Sequence, residues 1–276
     1  MPTASEVTSD LRVVLAADRA LRRRAALEVI ALDGGMVVRH PDLYDVHFLN
    51  AVLVDAGAHG SDAAGAAALA ERHLGDLRHR HVVFDDAGAG ERVAAALDDA
   101  GWERGRTVFM AFTGDASALN GDARARAISE AEMDALQLAN LREHAPEAHA
   151  RGGVADRMLA TQRRLRDTTP SCCFGAGEPA GELASMCTLF LDPDVDGRRV
   201  AMLTDVATRL AHRERGLGRA VVLAAVAHAG RWDADLIVAG ADADDWPQLM
   251  YGALGFAPVG RQVTLTRRVT TRSGSV

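Results

Sequence analysis

The chain has 276 residues, enough for one large domain or two ordinary ones, and its 48% hydrophobic residues supply apolar mass for a buried core. A formal charge of −7 and a pI near 5.8 exclude the basic surface that coats nucleic acid, so no nucleic-acid partner is expected. No apolar run approaches the ~20 residues that span a bilayer, and residues 1–10 lack the basic start and apolar core of a signal peptide. A soluble, cytoplasmic protein with no membrane partner is therefore expected.

The elements are read in chain order. Residues 16–32 read as a helix, and 36–38 and 46–54 as strands on either side of the turn His40-Pro41-Asp42. Residues 62–77 have helical apolar spacing, 81–84 read as a β-branched strand, 90–100 as a helix and 106–112 as a strand. A polar stretch at 114–126 ends this first block. The second block opens with Ser129 three residues before Glu132, the capping-box pattern of a helix start. Helices are expected at 129–144 and 154–166, and strands at 171–174, 183–191 and 199–208. A helix at 218–229, a strand at 236–239, a helix at 246–254 and a strand at 262–267 follow, and the polar tail 270–276 is expected to fray. Strand, helix, strand over 80–112 mirrors the order over 236–267, with Gly101-Trp102 and Gly255-Phe256 each following the helix. This suggests two copies of one αβ unit.

Two compositional features are read as background. All 31 basic residues are arginine, which fits a GC-rich coding bias. Cys172, Cys173 and Cys187 make an odd, clustered set, poor for disulfides, so buried thiols in a reducing compartment are expected.

The segment Arg213-Glu214-Arg215-Gly216-Leu217-Gly218 lies between an expected strand and an expected helix. Amides of a helix's first turn converge on an anion, and the helix dipole adds positive potential there. Glycines allow a phosphate to approach where a Cβ would collide, or where φ must be positive. Arg213, Arg215 and Arg219 add guanidinium groups that can bind phosphate oxygens in pairs. A dinucleotide-binding fingerprint would need a third glycine where Val221 stands, and a kinase-type phosphate loop would need a lysine. Both are rejected.

One strand and one helix later comes Met250-Tyr251-Gly252-Ala253-Leu254-Gly255-Phe256. This pattern resembles the closing motif of the GCN5-related N-acetyltransferase (GNAT) superfamily, and the Arg-x-x-Gly-x-Gly segment resembles that superfamily's acetyl-CoA signature. The resemblance covers residues 129–268. It implies an α/β (α+β) fold of tandem GNAT-like mixed, mostly antiparallel sheets. The expected domains are a degenerate copy at 1–118, a linker at 119–126 and an intact catalytic copy at 127–276. In the first copy, the strand near Val54 is followed by no Arg-x-x-Gly-x-Gly, and no tyrosine precedes Gly101-Trp102.

The resemblance also implies roles. Acetyl-CoA would be the co-substrate, and a small-molecule or peptide amine the acceptor. Backbone groups of Val206 and Thr208 would meet the pantetheine arm and thioester carbonyl, and the loop from Arg213 through Glu214, Arg215, Gly216, Leu217 and Gly218 to Arg219 the pyrophosphate. Tyr251 would protonate the departing thiolate. Asp205 is the first candidate to take the amine proton, with Glu182 and His212 behind it. The family often carries asparagine seven residues before the tyrosine. Asp244 stands there, a candidate for contact with the cofactor, and reads equally as a helix N-cap. Leu210 replaces the proline often found after the strand. The competing readings are a non-catalytic acyl-CoA-binding sensor or partner module, and an aminoacyl transferase using charged tRNA. The acidic balance and the loop argue against the second.

Overall fold

The computed structural model describes residues 4–55, 57–58, 62–144, 146, 153–179 and 181–269, with side chains from residue 9 onward. The fold is mixed α/β, with mostly antiparallel strand pairing. The chain divides into two compact units. The first comprises the described residues of Met1–Arg19, Phe109–Ala241 and Asp245–Gly260, and the second those of Ala20–Val108, Asp242–Asp244 and Arg261–Val276. The boundary falls within helix α1 (Ala4–Ala25) and within strands β5 (Glu103–Phe112) and β11 (Phe256–Arg268).

The second unit is built on β1 (Glu28–Leu32), β2 (Gly35–Arg39), β3 (Ala51–Val54) and β4 (His79–Phe84), with β11 beside β4. Residues 28–32 were expected to continue a helix. They form a strand instead, because Asp33-Gly34 is a two-residue hairpin turn that pairs Leu32 with Gly35 and Glu28 with Arg39. The expected strand at 46–54 is shortened to β3, with a 3₁₀ turn at His47–Leu49. Asn50 is the cause. Fully buried, it donates through Nδ2 to the carbonyls of Leu43 (2.9 Å) and Val46 (3.1 Å) and accepts from the His40 amide (2.9 Å), fixing a turn. α2 (Ala63–Leu74) crosses from β3 to its parallel neighbour β4 and buries Ala66, Ala70 and Leu74. α3 (Ala87–Ala96) buries Val93 and Ala94 beside Trp102. The tail 270–276 lies outside the described residues.

Three imidazoles stack in this unit. His47 lies 4.3 Å from His79 and 5.3 Å from His81, centroid to centroid. His79 donates from Nε2 to the Asn50 carbonyl (3.2 Å), and His81 Nδ1 meets the Thr266 hydroxyl at 2.8 Å. Burial lowers all three pKa values, that of His47 to about 4, with His79 and Arg268 adding repulsion and Asp45 opposing it. Each histidine is thus neutral in the fold and protonates more readily when unfolded. The stability they confer is present above about pH 6.5 and is lost as pH falls; for His47 the loss runs toward pH 4, at about 1.4 kcal/mol per pH unit. The urea midpoint is expected to fall steeply between pH 6.5 and 4.5, and His47→Gln is expected to flatten that dependence. An equally steep profile in the variant would show that other groups control it.

The first unit carries β6 (Ala125–Ile128), β7 (Ser171–Gly177), β8 (Leu183–Val195), β9 (Arg198–Thr208) and β10 (Leu236–Asp242, through Ala241), in the order β10-β9-β8-β7-β6. Pairing is antiparallel from β6 to β9 and parallel between β9 and β10. Residues 125–126, expected to belong to the polar connection, are the first half of β6. The capping box forms as expected, since the Glu132 carboxylate accepts from both the amide and the hydroxyl of Ser129 (2.8 Å each) at the start of α4 (Glu130–His144). α4 sets Met133 and Leu136 against Cys173 and Met186, and α5 (Val154–Thr168) buries Leu165 and Arg166. α6 (Leu217–Arg231) buries Leu217, Ala220, Val221, Val222, Val226 and its alanines. With helices packed on it, the middle of β8 is buried on both faces, from Ala184 to Asp192. Burying each large side chain contributes about 1.5–3 kcal/mol. All three cysteines are reduced, and burial raises their thiols (Cys173 to about 11), which keeps them protonated.

Candidate active site

The site is organised by what happens at the end of β9. Its parallel pairing with β10 runs from Val200↔Leu236 to Leu203↔Ala239, and among the described residues β9 has no ladder partner on that side from Thr204 to Thr208. On the other side β9 stays with β8, through Met186↔Ala207 and Ser185↔Thr208. Between Thr188↔Thr204 and Met186↔Ala207, two residues of β9, Asp205 and Val206, oppose the single residue Cys187. This is a β-bulge, and Asp205 within it has a positive φ (54°). Aspartate tolerates that conformation better than most residues.

Beyond the bulge, the Arg209 amide donates to the Ala184 carbonyl (2.9 Å), so the 184/209 pair is hydrogen-bonded. Strict alternation along an antiparallel ladder then turns the N–H and C=O of Thr208 away from β8, toward the open edge. The Thr208 carbonyl indeed accepts from Arg213 Nε (3.3 Å). An exposed strand edge inside an otherwise paired sheet can bind an extended ligand through its backbone.

The loop from β9 to α6 is held in place by side chains outside the motif. Glu143, near the end of α4, accepts from the Leu210 amide (2.8 Å) and from Arg209 Nε (2.9 Å), which lowers its pKa. Arg209 also donates to Glu182 (2.7 Å), and His212 Nε2 lies 3.7 Å from the same carboxylate. Glu182 and His212 are therefore engaged with the loop. Arg213 reaches His144 Nε2 at 2.5 Å as well as the Thr208 carbonyl. Glu214, Arg215 and Gly216 are exposed, and Glu214 (φ 62°) and Gly216 (φ 77°) adopt left-handed conformations that turn the chain into α6.

Gly216 is the N-cap of α6 and supplies no side-chain cap. Ala220 is the first residue whose amide finds an intrahelical acceptor, the Gly216 carbonyl (3.0 Å). The amides of Leu217, Gly218 and Arg219 precede it and have none by helix geometry. A Cβ on Gly218 would stand 3.3 Å from the Thr208 hydroxyl, so the helix start and the free end of β9 are in close contact. Three uncapped amides, a positive helix end and a free strand edge thus meet at one place.

Asp205 and Tyr251 complete the set. Burial raises the Asp205 carboxyl to about 6, while the Thr188 and Thr204 hydroxyls and the Arg166 guanidinium pull it back. Arg166 is itself buried and bonded to Asp134 (2.5 Å). Tyr251 sits on the short helix α7 (Pro247–Ala253), buried against the Phe256 ring at 5.4 Å, and burial holds its phenol well above the usual range. A Cβ on Gly218 would lie 3.7 Å from the sulfur of Met250, the residue before Tyr251, which brings α7 to the same helix start. Asp244 belongs to the second unit, where it pairs with Arg106 (3.0 Å), and it is not an N-cap, since α7 is preceded by Trp246 without a side-chain cap. Reasoning from the sequence overlooked Glu143, whose contact with the loop spans 67 residues of chain and leaves no local pattern.

The second unit has the corresponding path β3-α2-β4 without these openings. β3 and β4 remain paired to their last residues (Val54↔Phe84), and the Asp85 amide still donates to the Val54 carbonyl (3.2 Å). The start of α2 is capped by the Asp62 carboxylate, which accepts from the Gly65 amide (2.7 Å) and fills the anion position with its own charge.

Residues 136–256 match the family described as Acetyltransferase (GNAT) family. No curated protein matches the sequence. Among solved structures, the fold is shared with a functionally unknown conserved protein from Staphylococcus epidermidis (TM-score 0.65, 11% identity, covering 89% of this chain and 95% of that one). It is also shared with a GCN5-related N-acetyltransferase from Kribbella flavida (TM-score 0.61, 19% identity, 94% and 95% covered). A tandem GNAT protein from the clavulanic acid biosynthesis pathway aligns with a TM-score of 0.51 at 18% identity, over 81% of this chain and 76% of that one. At such identities these likenesses are of fold alone. Among the described residues no helix is long and apolar enough to cross a membrane.

Proposed function

We propose that this chain, which carries a GNAT acetyltransferase domain at residues 136–256, transfers the acetyl group of acetyl-CoA to a primary amine, with the chemistry in the first unit. Acyl-CoA-dependent acetyl transfer is what the family implies. The observation that supports its location here is the meeting of the unpaired β9 edge with the uncapped α6 start. The second unit is closed at both corresponding places, which suits a supporting role.

In this reading, the uncapped amides of Leu217, Gly218 and Arg219 hold the pyrophosphate, with Arg213, Glu214, Arg215 and Gly216 shaping the loop. Thr208 and Val206 offer backbone groups to the pantetheine arm and the thioester carbonyl. The amine nitrogen attacks the carbonyl carbon, forming the C–N bond, and negative charge collects on the carbonyl oxygen, where backbone amides stabilise it. The intermediate collapses with cleavage of the C–S bond. The thiolate takes a proton from Tyr251, and the proton lost by the amine passes to Asp205. The acceptor is an amine of small-molecule or peptide type.

The test is release of free CoA thiol from acetyl-CoA across a panel of amines, followed over pH. An alkylamine must itself lose a proton, which gives kcat/KM a slope of one below its own pKa. With Asp205 titrating near 6, the slope is expected to steepen to two below about pH 6, and Asp205→Asn to abolish that break. Acetyl-CoA binding without thiol release to any amine would instead favour the non-catalytic acyl-CoA-binding module.

A further inference from the structure

Arg124, just ahead of β6 and 89 residues before the first residue of the loop motif, lies against that loop. Its NH1 donates to the Arg215 carbonyl (2.9 Å). Nε and NH2 donate to the two oxygens of Asp122 (3.1 and 2.8 Å), a carboxylate held down to about pKa 2 chiefly by this pairing, with Arg219 contributing. The chain around Arg124 is anchored as well. Its amide donates to Asp122 (2.9 Å), and its carbonyl accepts from the Gly177 amide at the end of β7 (3.1 Å). The guanidinium is therefore fixed in position.

A guanidinium carries five N–H groups, and these contacts use three. One remains on NH1 and one on NH2, each able to donate to a phosphate oxygen. Those two nitrogens stand 3.8 and 3.5 Å from where a Cβ on Gly216 would be. The space left by the missing side chain is thus bounded by an oriented, half-used guanidinium and adjoins the uncapped amides of α6.

We propose that Arg124 is a ligand of the acyl-CoA pyrophosphate, completing the anion site that the α6 amides form. This rests on the acetyl-CoA reading above and extends the site to a residue outside both motifs. It also gives Gly216 a second reason to lack a side chain: a phosphate oxygen bound by Arg124 occupies that space. Asp122 orients the fork and offsets part of its charge, while Glu178 attracts the same guanidinium and Arg219 supplies a neighbouring positive charge.

The experiment compares wild type, Arg124→Gln and Arg124→Lys with three acetyl donors: acetyl-CoA, acetyl-dephospho-CoA (pyrophosphate kept, 3′-phosphate absent) and S-acetylpantetheine (no phosphate). Arg124→Gln is expected to raise KM and Kd for the first two donors by the same factor, about tenfold, the lower end for charge-assisted hydrogen bonds at a partly exposed site. The effect is expected mainly in KM, with kcat/KM for S-acetylpantetheine unchanged. Lysine should restore part of the loss, as a point charge without the fork. Three results would overturn the inference. A loss confined to acetyl-CoA would place Arg124 on the 3′-phosphate. A loss equal for all three donors would place its effect outside the anion site. No loss at all would leave it without a role in binding. A wild type that binds none of the donors would refute the acetyl-transfer reading itself, and this inference with it.

Discussion

Gly216→Asp is expected to raise the Kd for acetyl-CoA at least 100-fold while leaving the protein folded. The new side chain enters the space bounded by Arg124, whose NH2 stands 3.5 Å from the Cβ position, an ordinary van der Waals distance. Nothing is displaced sterically. The backbone at φ 77° costs about 1 kcal/mol for a residue with a Cβ, and less for aspartate than for most. Against this, a carboxylate at a helix start gains from the dipole. The variant therefore supplies its own anion at the position where the donor's phosphate would sit. The incoming pyrophosphate must then compete with an intramolecular carboxylate and be repelled by it. Gly216→Ala separates the two effects, carrying the same backbone strain without the charge, and is expected to lose no more than about tenfold. Calorimetric titration of the three proteins with acetyl-CoA decides the matter. If the aspartate and alanine variants lose affinity equally, strain alone is responsible, and the loop is not the anion site.

The elements that were legible in the sequence are those whose causes are local. The capping box at Ser129 and Glu132, the helix after Gly216-Leu217-Gly218 and the strand-helix-strand ending near Phe256 all follow from short patterns. The strand at 28–32 was missed although Asp33-Gly34 marks a hairpin, because the preceding helical periodicity ran without a break into Leu27 and Glu28. The turn at 47–49 could not be read. It depends on one buried asparagine meeting carbonyls of residues 43 and 46, while the local composition, Val46, Phe48 and Leu49, favours a strand. In the site, the loop and Tyr251 were visible as motifs. The contributions of Glu143 and Arg124 were not, since each acts across 67 to 91 residues of chain and neither sits in a pattern. The bulge was likewise hidden, because nothing in Thr204-Asp205-Val206 announces a left-handed aspartate.

The second unit shows the same order of elements without the two openings of the first. The chain path β3-α2-β4 matches β9-α6-β10, yet two local differences close it. Its parallel strands stay paired to their ends, so no backbone edge is free. Its helix begins with Asp62, which spends the first-turn amides on an internal carboxylate. The contrast with Gly216, which has no side chain to offer, is one of residue type at a helix start. It is also one of backbone conformation, since Asp62 is extended (φ −103°) and Gly216 is left-handed (φ 77°).

Tyr251→Phe is expected to lower kcat about 100-fold with little change in the Kd for acetyl-CoA. The phenol is buried, and its ring packs on Phe256 at 5.4 Å. Phenylalanine preserves that packing and removes only the hydroxyl, so the thermal midpoint should stay near the wild-type value. Burial raises the phenol's pKa, with the buried Cys187 thiol adding to the effect. Tyr251 is therefore protonated throughout the working pH range, as a general acid must be, and contributes no alkaline limb below pH 10. A CoA thiol has a pKa near 8.5 and its thiolate leaves moderately well unaided, so the loss belongs at the lower end of the roughly 10²- to 10⁴-fold range for general acid catalysis. Because the group acts only as the C–S bond breaks, the defect should fall on kcat and kcat/KM alike and not on ground-state binding. A variant with unchanged kcat would show that solvent protonates the thiolate and that Tyr251 is a packing residue. A variant whose acetyl-CoA affinity falls along with kcat would make the hydroxyl part of the binding site instead.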